Sequence, residues 1–214
     1  MTKLRVGVLA SGRGSNLQAL IDRAGRPDAR FEVAVVLSDV ESAAALERAR
    51  RAGVPALHVP PGRFRTKLEP EVEQAYAAAL ERFSVEAVAL AGFMRILHEP
   101  FLSRFPGRVV NIHPSLLPSF PGLEAQRQAL EYGVRWSGAT VHYVNAGVDA
   151  GPIVLQAAVP VVEGDTPETL AARILREEHR IYPEALELMA EGRLVVEGRR
   201  VRVLPPSGGR GASL

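Results

Sequence analysis

Leu4-Arg5-Val6-Gly7-Val8-Leu9-Ala10-Ser11-Gly12-Arg13-Gly14-Ser15-Asn16-Leu17-Gln18-Ala19-Leu20-Ile21-Asp22-Arg23-Ala24 joins an apolar run to a helical pattern through a glycine-rich turn. Leu4 to Ala10 reads as a buried strand and Leu17 to Ala24 as a helix. The same unit recurs downstream. Strands are expected at Phe31 to Ser38, Ala56 to Val59, Ala87 to Ala91 and Val109 to His113, with helices at Ala43 to Ala52 and Val72 to Phe83. Short strands separated by helices imply right-handed βαβ crossovers and a mainly parallel sheet covered on both faces.

After Trp136 the pattern changes. Trp136 to Val144 and Gly151 to Val161 are long β-rich runs joined by Asn145 to Ala150. Strands this close in sequence pair antiparallel, which puts Asp149 in their connecting loop. A long helix is expected from about Thr166, with Pro167 in its first turn and Asp165 and Glu168 as a capping box. Leu194 to Val196 and Val201 to Leu204 suggest a small hairpin, and the polar stretch 205–214 a disordered tail. The expected class is α/β: a Rossmann-like three-layer α/β/α arrangement, mainly parallel, extended by antiparallel strands in the C-terminal half.

The chain has 214 residues and 47% hydrophobic content, which suit one compact domain. Its formal charge is +2, and its basic residues are interspersed with acidic ones, so neither nucleic acid nor an anionic membrane is the expected partner. Cysteine is absent, which excludes disulfides, thiolate chemistry and Cys-based zinc sites. His58, His98, His142 and His179 show no close metal-ligand spacing, and no metal is expected. No apolar run approaches the ~20 residues of a spanning helix, and the N-terminus does not read as a signal sequence. A cytoplasmic location follows as the expectation.

Val109-Val110-Asn111-Ile112-His113-Pro114 delivers an amide and an imidazole to a strand end, where Pro114 stops the strand. Side chains two apart share a strand face, so Asn111 and His113 can converge on one small group. An Asn amide donates without titrating, and His exchanges a proton near neutrality. Together they can polarise a carbonyl and hold the oxyanion formed on attack. Taken alone, such a pair more often satisfies a loop carbonyl and a turn.

Ser11-Gly12-Arg13-Gly14-Ser15-Asn16 lies between the first strand and first helix, where glycines and free helix amides favour an anion such as phosphate. Leu17 stands where a dinucleotide fingerprint needs glycine, and the Gly-Lys-Ser/Thr of a P-loop is missing. A tight turn capped by Ser15 or Asn16 is the competing reading.

Gly-Arg-Gly-Ser-Asn-Leu-Gln-Ala at 12–19, Leu-Ala-Gly-Phe-Met-Arg-Ile-Leu at 90–97, Asn-Ile-His-Pro-Ser-Leu-Leu-Pro at 111–118 and Val-Asp-Ala-Gly-Pro-Ile at 148–153 occur in this order. With them the chain resembles the phosphoribosylglycinamide formyltransferases, the folate-dependent transformylases of purine synthesis, from about Leu4 to Pro205. The resemblance implies a catalytic set of Asn111, His113 and Asp149, with 10-formyltetrahydrofolate as co-substrate and the amine of glycinamide ribonucleotide as acceptor. Asn111 and a protonated His113 would hold the oxyanion, and Asp149 would keep His113 charged and help move the proton. The resemblance also implies phosphate on Gly14, Ser15 and Asn16, ribose on Glu178, and folate along Met94, Arg95, Ile96 and Leu97 and the loop of Ala146, Gly147 and Val148. Glu178 lies within the helical apolar stripe of Leu170, Ile174, Ile181 and Ala185, and a carboxylate there needs a partner. His179 and His142 read as structural.

A basic residue near the folate tail is implied too, with Arg65 and Lys67 competing for it. Two positions depart from the family pattern: Ala146 replaces a common acidic residue, and Leu175 a polar one for which Arg176 can substitute. The expected organisation is one formyltransferase domain over 1–204, a phosphate-binding half to 110 and a catalytic and folate half from 111, acting as monomer or homodimer. Methionyl-tRNA formyltransferase carries a further C-terminal domain and formyltetrahydrofolate hydrolase an extra N-terminal one. A noncatalytic nucleotide or folate binding module would not require Asn111, His113 and Asp149 together.

Overall fold

The computed structural model describes residues 2–206. Its strands are β1 (Leu4–Leu9), β2 (Phe31–Ser38), β3 (Ala56–His58), β4 (Ala87–Leu90), β5 (Val109–His113), β6 (Trp136–Tyr143), β7 (Ile153–Pro160), β8 (Leu194–Glu197) and β9 (Arg200–Val203). The helices are α1 (Ser15–Ala24), α2 (Ala44–Arg51), α3 (Pro70–Glu81), α4 (Glu99–Leu102), α5 (Ala125–Tyr132) and α6 (Pro167–Ala190). Among the described residues one sheet runs β3-β2-β1-β4-β5-β6-β7-β9-β8. β1 to β5 pair parallel, while β6 pairs antiparallel with both β5 and β7. The expected class and the switch to antiparallel pairing after Trp136 therefore both hold.

Alternation along the strands builds two cores. Val6 and Val8 of β1, Phe31 and Val36 of β2 and Ala87 and Ala89 of β4 pack with Leu17, Leu20, Leu170, Ile174 and Leu186 of α1 and α6. Leu9, Val35, Leu37, Val88 and Leu90 point the other way, against Tyr76 and Leu80 of α3 and Phe101 of α4. Buried strands covered on both faces need both sets of residues apolar, which explains their continuous hydrophobic character. The Tyr182 hydroxyl, buried on α6, donates to the Leu90 carbonyl at 2.8 Å and lies 3.2 Å from the Val110 carbonyl. One helix thus pins the end of β4 and the start of β5 together.

Local details depart from expectation. The cap of α6 is Thr166, whose side chain accepts from Thr169 N–H while the Thr169 hydroxyl accepts from Thr166 N–H. Asp165 and Glu168 do not form that box. Asp165 is drawn off by a bidentate bond to Arg173 at 2.8 and 2.9 Å. Two short helices, α4 and α5, occupy stretches for which the sequence pattern assigns no element. The small hairpin β8–β9 forms as expected, and of the anticipated tail, 207–214 lie outside the described residues.

Candidate active site

Parallel strands end on one edge of the sheet, and the loops after β1, β4 and β5 all emerge there. Ser11 N–H donates to the Gly92 carbonyl at 3.0 Å, and the Ser11 hydroxyl accepts from Met94 N–H at 2.9 Å. The glycine loop and the 92–97 loop are therefore one wall.

Asn111 and His113 occupy the face of β5 opposite Val110 and Ile112, which belong to the α6 core. The β6–β7 loop folds back over that face and brings Asp149 to both. Asp149 Oδ2 lies 3.3 Å from His113 Nδ1 and accepts from Gly122 N–H at 2.8 Å, while Oδ1 accepts a long bond from Asn111 Nδ2 at 3.5 Å. The three residues expected to act together are in contact. Gly151 makes the fold-back feasible: a Cβ there would fall 1.7 Å from the Tyr143 carbonyl oxygen.

Sequence reading missed His142. It faces Asn111 across the β5–β6 ladder, with its Nε2 3.2 Å from Asn111 Nδ2 and 3.5 Å from Asp149 Oδ1. Its Nδ1 lies 2.9 Å from the Tyr143 carbonyl, which can only accept, so in the neutral ring Nδ1 carries the hydrogen and Nε2 accepts from the Asn111 amide. Only the antiparallel register β5–β6, invisible in local pattern, could have revealed it.

Burial pushes the His113 pKa down, the Phe120 carbonyl and Asp149 pull it back, and His142 adds to the lowering. The balance lies below the ordinary imidazole value, which works against the protonated His113 expected from sequence. His113 Nε2 lies 2.8 Å from the Phe120 carbonyl, so both ring nitrogens face acceptors. A neutral ring leaves one of these contacts without a hydrogen, and a proton taken up by the ring satisfies both. Burial alone would raise Asp149, but His142, Gly122 N–H and the charge of His113 together hold its carboxyl below the usual range. Phe120 and Asp149, the two groups that hold His113, adopt left-handed backbones with φ of 55° and 49°. Each such non-glycine residue costs on the order of 1–3 kcal/mol, a strain that collects at functional sites.

At the glycine loop, the helix cap is Gly14 rather than Ser15 or Asn16, with φ 72° and no side-chain cap bond. A Cβ at Gly14 would meet the Ala45 Cα at 2.8 Å, so glycine lets α2 brace the loop. Arg48 of α2 donates to the Arg13 carbonyl at 2.8 Å. Asn16 turns instead to α6 and donates to Glu178 Oε2 at 2.7 Å. Glu178 thus has the partner its burial demands, and burial raises its pKa against the lowering effect of Asn16. The Asn16 Oδ1 is buried and, among the described residues, accepts nothing. Tyr182, one turn beyond Glu178, touches the Val110 carbonyl next to Asn111, which ties this pair to β5.

The 94–97 loop divides by direction. Met94 and Ile96 are exposed, Leu97 is buried in the core, and Arg95 turns from the edge to donate to Asp39 Oδ2 at 2.7 Å. Ala146, Gly147 and Val148 are exposed on the loop carrying Asp149. Arg176 is exposed and His179 half-buried, the latter with burial lowering its pKa and Asp22 opposing. Among the described residues no group of three or more acidic or His side chains could hold a metal, and no helix is long and apolar enough to cross a membrane.

A strand-end amide, imidazole and carboxylate beside a glycine loop define a site for transfer at a carbonyl-like carbon. The pattern of the family described as formyl transferase matches residues 4–186, and the chain belongs to that family. It is similar to a glycinamide ribonucleotide transformylase of Symbiobacterium toebii whose structure is solved, with 59% identity, a TM-score of 0.91 and 95% of each chain covered. It is 41% identical to the phosphoribosylglycinamide formyltransferase of Escherichia coli (strain K12), covering 96% of this chain and 98% of that one. The trifunctional purine biosynthetic protein adenosine-3 of Homo sapiens is 49% identical over 89% of this chain, which spans 19% of that longer protein.

Proposed function

We propose that the chain transfers the formyl group of 10-formyltetrahydrofolate to the amine of glycinamide ribonucleotide, giving formylglycinamide ribonucleotide and tetrahydrofolate. The observation that carries this reading is the contact of Asn111, His113 and Asp149 on one face of a strand end. The folate supplies an activated formyl carbon. The residues of this chain bind, orient and move the proton.

In this reading the formyl oxygen enters between Asn111 and His113. The 3.5 Å bond from Asn111 to Asp149 is the longest in the cluster and the easiest to exchange for a developing oxyanion. His142 keeps the Asn111 amide in its orientation. A His113 that rests below its ordinary pKa can accept the proton given up by the attacking amine, and the Asp149 carboxylate then balances the imidazolium. The same pair returns the proton to the departing folate nitrogen.

The phosphate lies on the amides of Gly14, Ser15 and Asn16, where no side-chain cap competes. Glu178 takes the ribose hydroxyls, and the idle Asn16 Oδ1 is an acceptor suited to the same hydroxyl-bearing substrate. The pterin lies on the exposed side chains of Met94 and Ile96 and under Ala146, Gly147 and Val148. The N–H groups of Met94 and Ile96 are already given to Ser11 and Thr66, so its hydrogen bonds run to the carbonyls and the remaining amides of the 94–97 loop. We place this work in one domain over 1–204, its halves meeting near 110, in a cytoplasmic monomer or homodimer without metal.

A coupled test follows released tetrahydrofolate with and without glycinamide ribonucleotide. Release that depends on the ribonucleotide supports transfer. Release without it shows a hydrolase using the same trio on water, and no release in either case rejects both.

A further inference from the structure

One short stretch of backbone holds His113 and Asp149 together. The Phe120 carbonyl lies 2.8 Å from His113 Nε2, and Gly122 N–H donates to Asp149 Oδ2 at 2.8 Å. Both groups belong to the segment 120–124, which leads into α5. Its backbone is left-handed at alternate positions, with φ of 55° at Phe120, 79° at Gly122 and 56° at Glu124. Glycine adopts this conformation freely, but Phe120 and Glu124 do so under strain, and strained backbone keeps its shape only where its surroundings over-determine it.

Gln128 of α5 supplies that constraint. Its Nε2 donates to the Leu123 carbonyl at 2.8 Å and to the Pro121 carbonyl at 3.3 Å, and an amide nitrogen has the two hydrogens that both bonds need. The Pro121 carbonyl and Gly122 N–H are opposite ends of one planar peptide, so neither can turn without the other. Gln128 grips the carbonyl end, and the N–H end is thereby aimed at Asp149. The buried residues of α5 are Ala125 and Ala129, whereas Gln128 is half-buried and turns its amide back past the start of the helix. The Phe120 ring meets Tyr132 of the same helix edge-on at 5.8 Å. α5 therefore holds the segment at 120, 121 and 123.

We propose that Gln128 is a positioning residue: its amide bridges the Pro121 and Leu123 carbonyls and so keeps Gly122 N–H on Asp149 and the Phe120 carbonyl on His113. Gln128 touches no substrate; it acts through these two backbone groups. The kinetic consequence rests on the formyl-transfer reading given above, whereas the geometric one does not.

The test compares Gln128→Met, which fills similar space without a donor, with Gln128→Lys, whose ammonium can still donate to both carbonyls. In Gln128→Met, kcat should fall about tenfold while both KM values stay within about twofold, because a displaced Asp149 weakens the transition state more than binding. Hydrogen exchange at the Gly122 amide, followed by NMR, should quicken about fivefold to tenfold, the scale of one lost hydrogen bond. Gln128→Lys should return both quantities to within about threefold of wild type. A contact that serves only the start of α5 would lower the melting temperature and leave kcat and Gly122 exchange unchanged, and that result would overturn the proposal. So would a loss in kcat that Gln128→Lys fails to restore. Should the wild type transfer no formyl group, the transfer reading fails instead, and Gly122 exchange alone decides: faster exchange in Gln128→Met that Gln128→Lys restores supports the clamp, and any other pattern overturns it.

Discussion

His142 Nε2 sits 3.2 Å from Asn111 Nδ2, directly across the β5–β6 ladder, with its other nitrogen held by the Tyr143 carbonyl. The carbonyl fixes the tautomer, and the tautomer fixes which way the Asn111 amide faces. An amide can flip its oxygen and nitrogen at little cost, and only a donor amide can meet an oxyanion.

Replacing His142 by Ala should therefore cost kcat about tenfold to a hundredfold, with both KM values little changed, because a displaced donor weakens transition-state contacts more than binding. Steady-state kinetics on both substrates check this. A change confined to KM would assign His142 to binding.

Asp149→Asn removes the charge that pulls the His113 pKa upward while burial still pushes it down. Its titration midpoint should fall further, and turnover should drop on the order of 10⁴-fold, as when the acidic partner of a catalytic imidazole is neutralised. The histidine ring signals followed by NMR across a pH series report the midpoint directly. A midpoint that rises would contradict the placement of this carboxylate.

Acid should destabilise the protein in two steps. His113 has a folded pKa below its unfolded 6.5, so as pH falls through 6.5 the unfolded chain gains a proton that the native one resists, and stability is lost. Asp149 has a folded pKa below 3.8, so its contribution is present above 3.8 and is lost only as pH falls through the folded value. Glu178, raised by burial, works in the opposite sense, so the comparison is between wild type and His113→Gln. The variant should lose less melting temperature between neutral pH and about pH 5.5, the interval in which the His113 effect operates.

β5 is legible in the sequence because its signals are local: β-branched residues, an alternating Asn and His, and a proline stop all lie within 109–114. Asp149 was legible as a loop residue between two strands. His142 was not, since its role comes from a register between strands. Arg95 was half legible. Its backbone lies at the expected edge, but the direction of its side chain depends on Asp39, 56 residues upstream. The α6 cap was misread for a similar reason, because Arg173, two turns into the helix, engages the Asp165 carboxylate. α5 carries no cap signal either: Glu124 precedes it with φ 56° and no side-chain cap bond.

Gly14→Ala should weaken both fold and binding. The position has φ 72°, and the added methyl meets backbone of α2 at 2.8 Å, so the loop or the helix must move. Overpacking of this kind costs about 1–3 kcal/mol. Thermal unfolding should show the loss, and KM for glycinamide ribonucleotide should rise as the phosphate amides shift. An unchanged KM would detach the glycine loop from the substrate.

Glu178→Gln separates a binding role from a structural one. The carboxylate is buried and its pKa is raised, so in the free protein its charge is held at a cost, with Asn16 as the hydrogen-bond partner at 2.7 Å. A glutamine of the same shape can still accept from Asn16, and removing a buried charge while keeping its hydrogen bond is often neutral or stabilising. Were Glu178 there for the fold, its loss should lower the melting temperature. The expectation is the reverse: a melting temperature that holds or rises, and a KM for glycinamide ribonucleotide that increases about tenfold because a neutral acceptor binds ribose hydroxyls less strongly. KM for the folate should not follow, since no folate contact involves α6 in the proposed arrangement. A joint rise in both KM values would instead mean that α6 acts through Tyr182 on β4 and β5, beside which both substrates lie in the proposed arrangement.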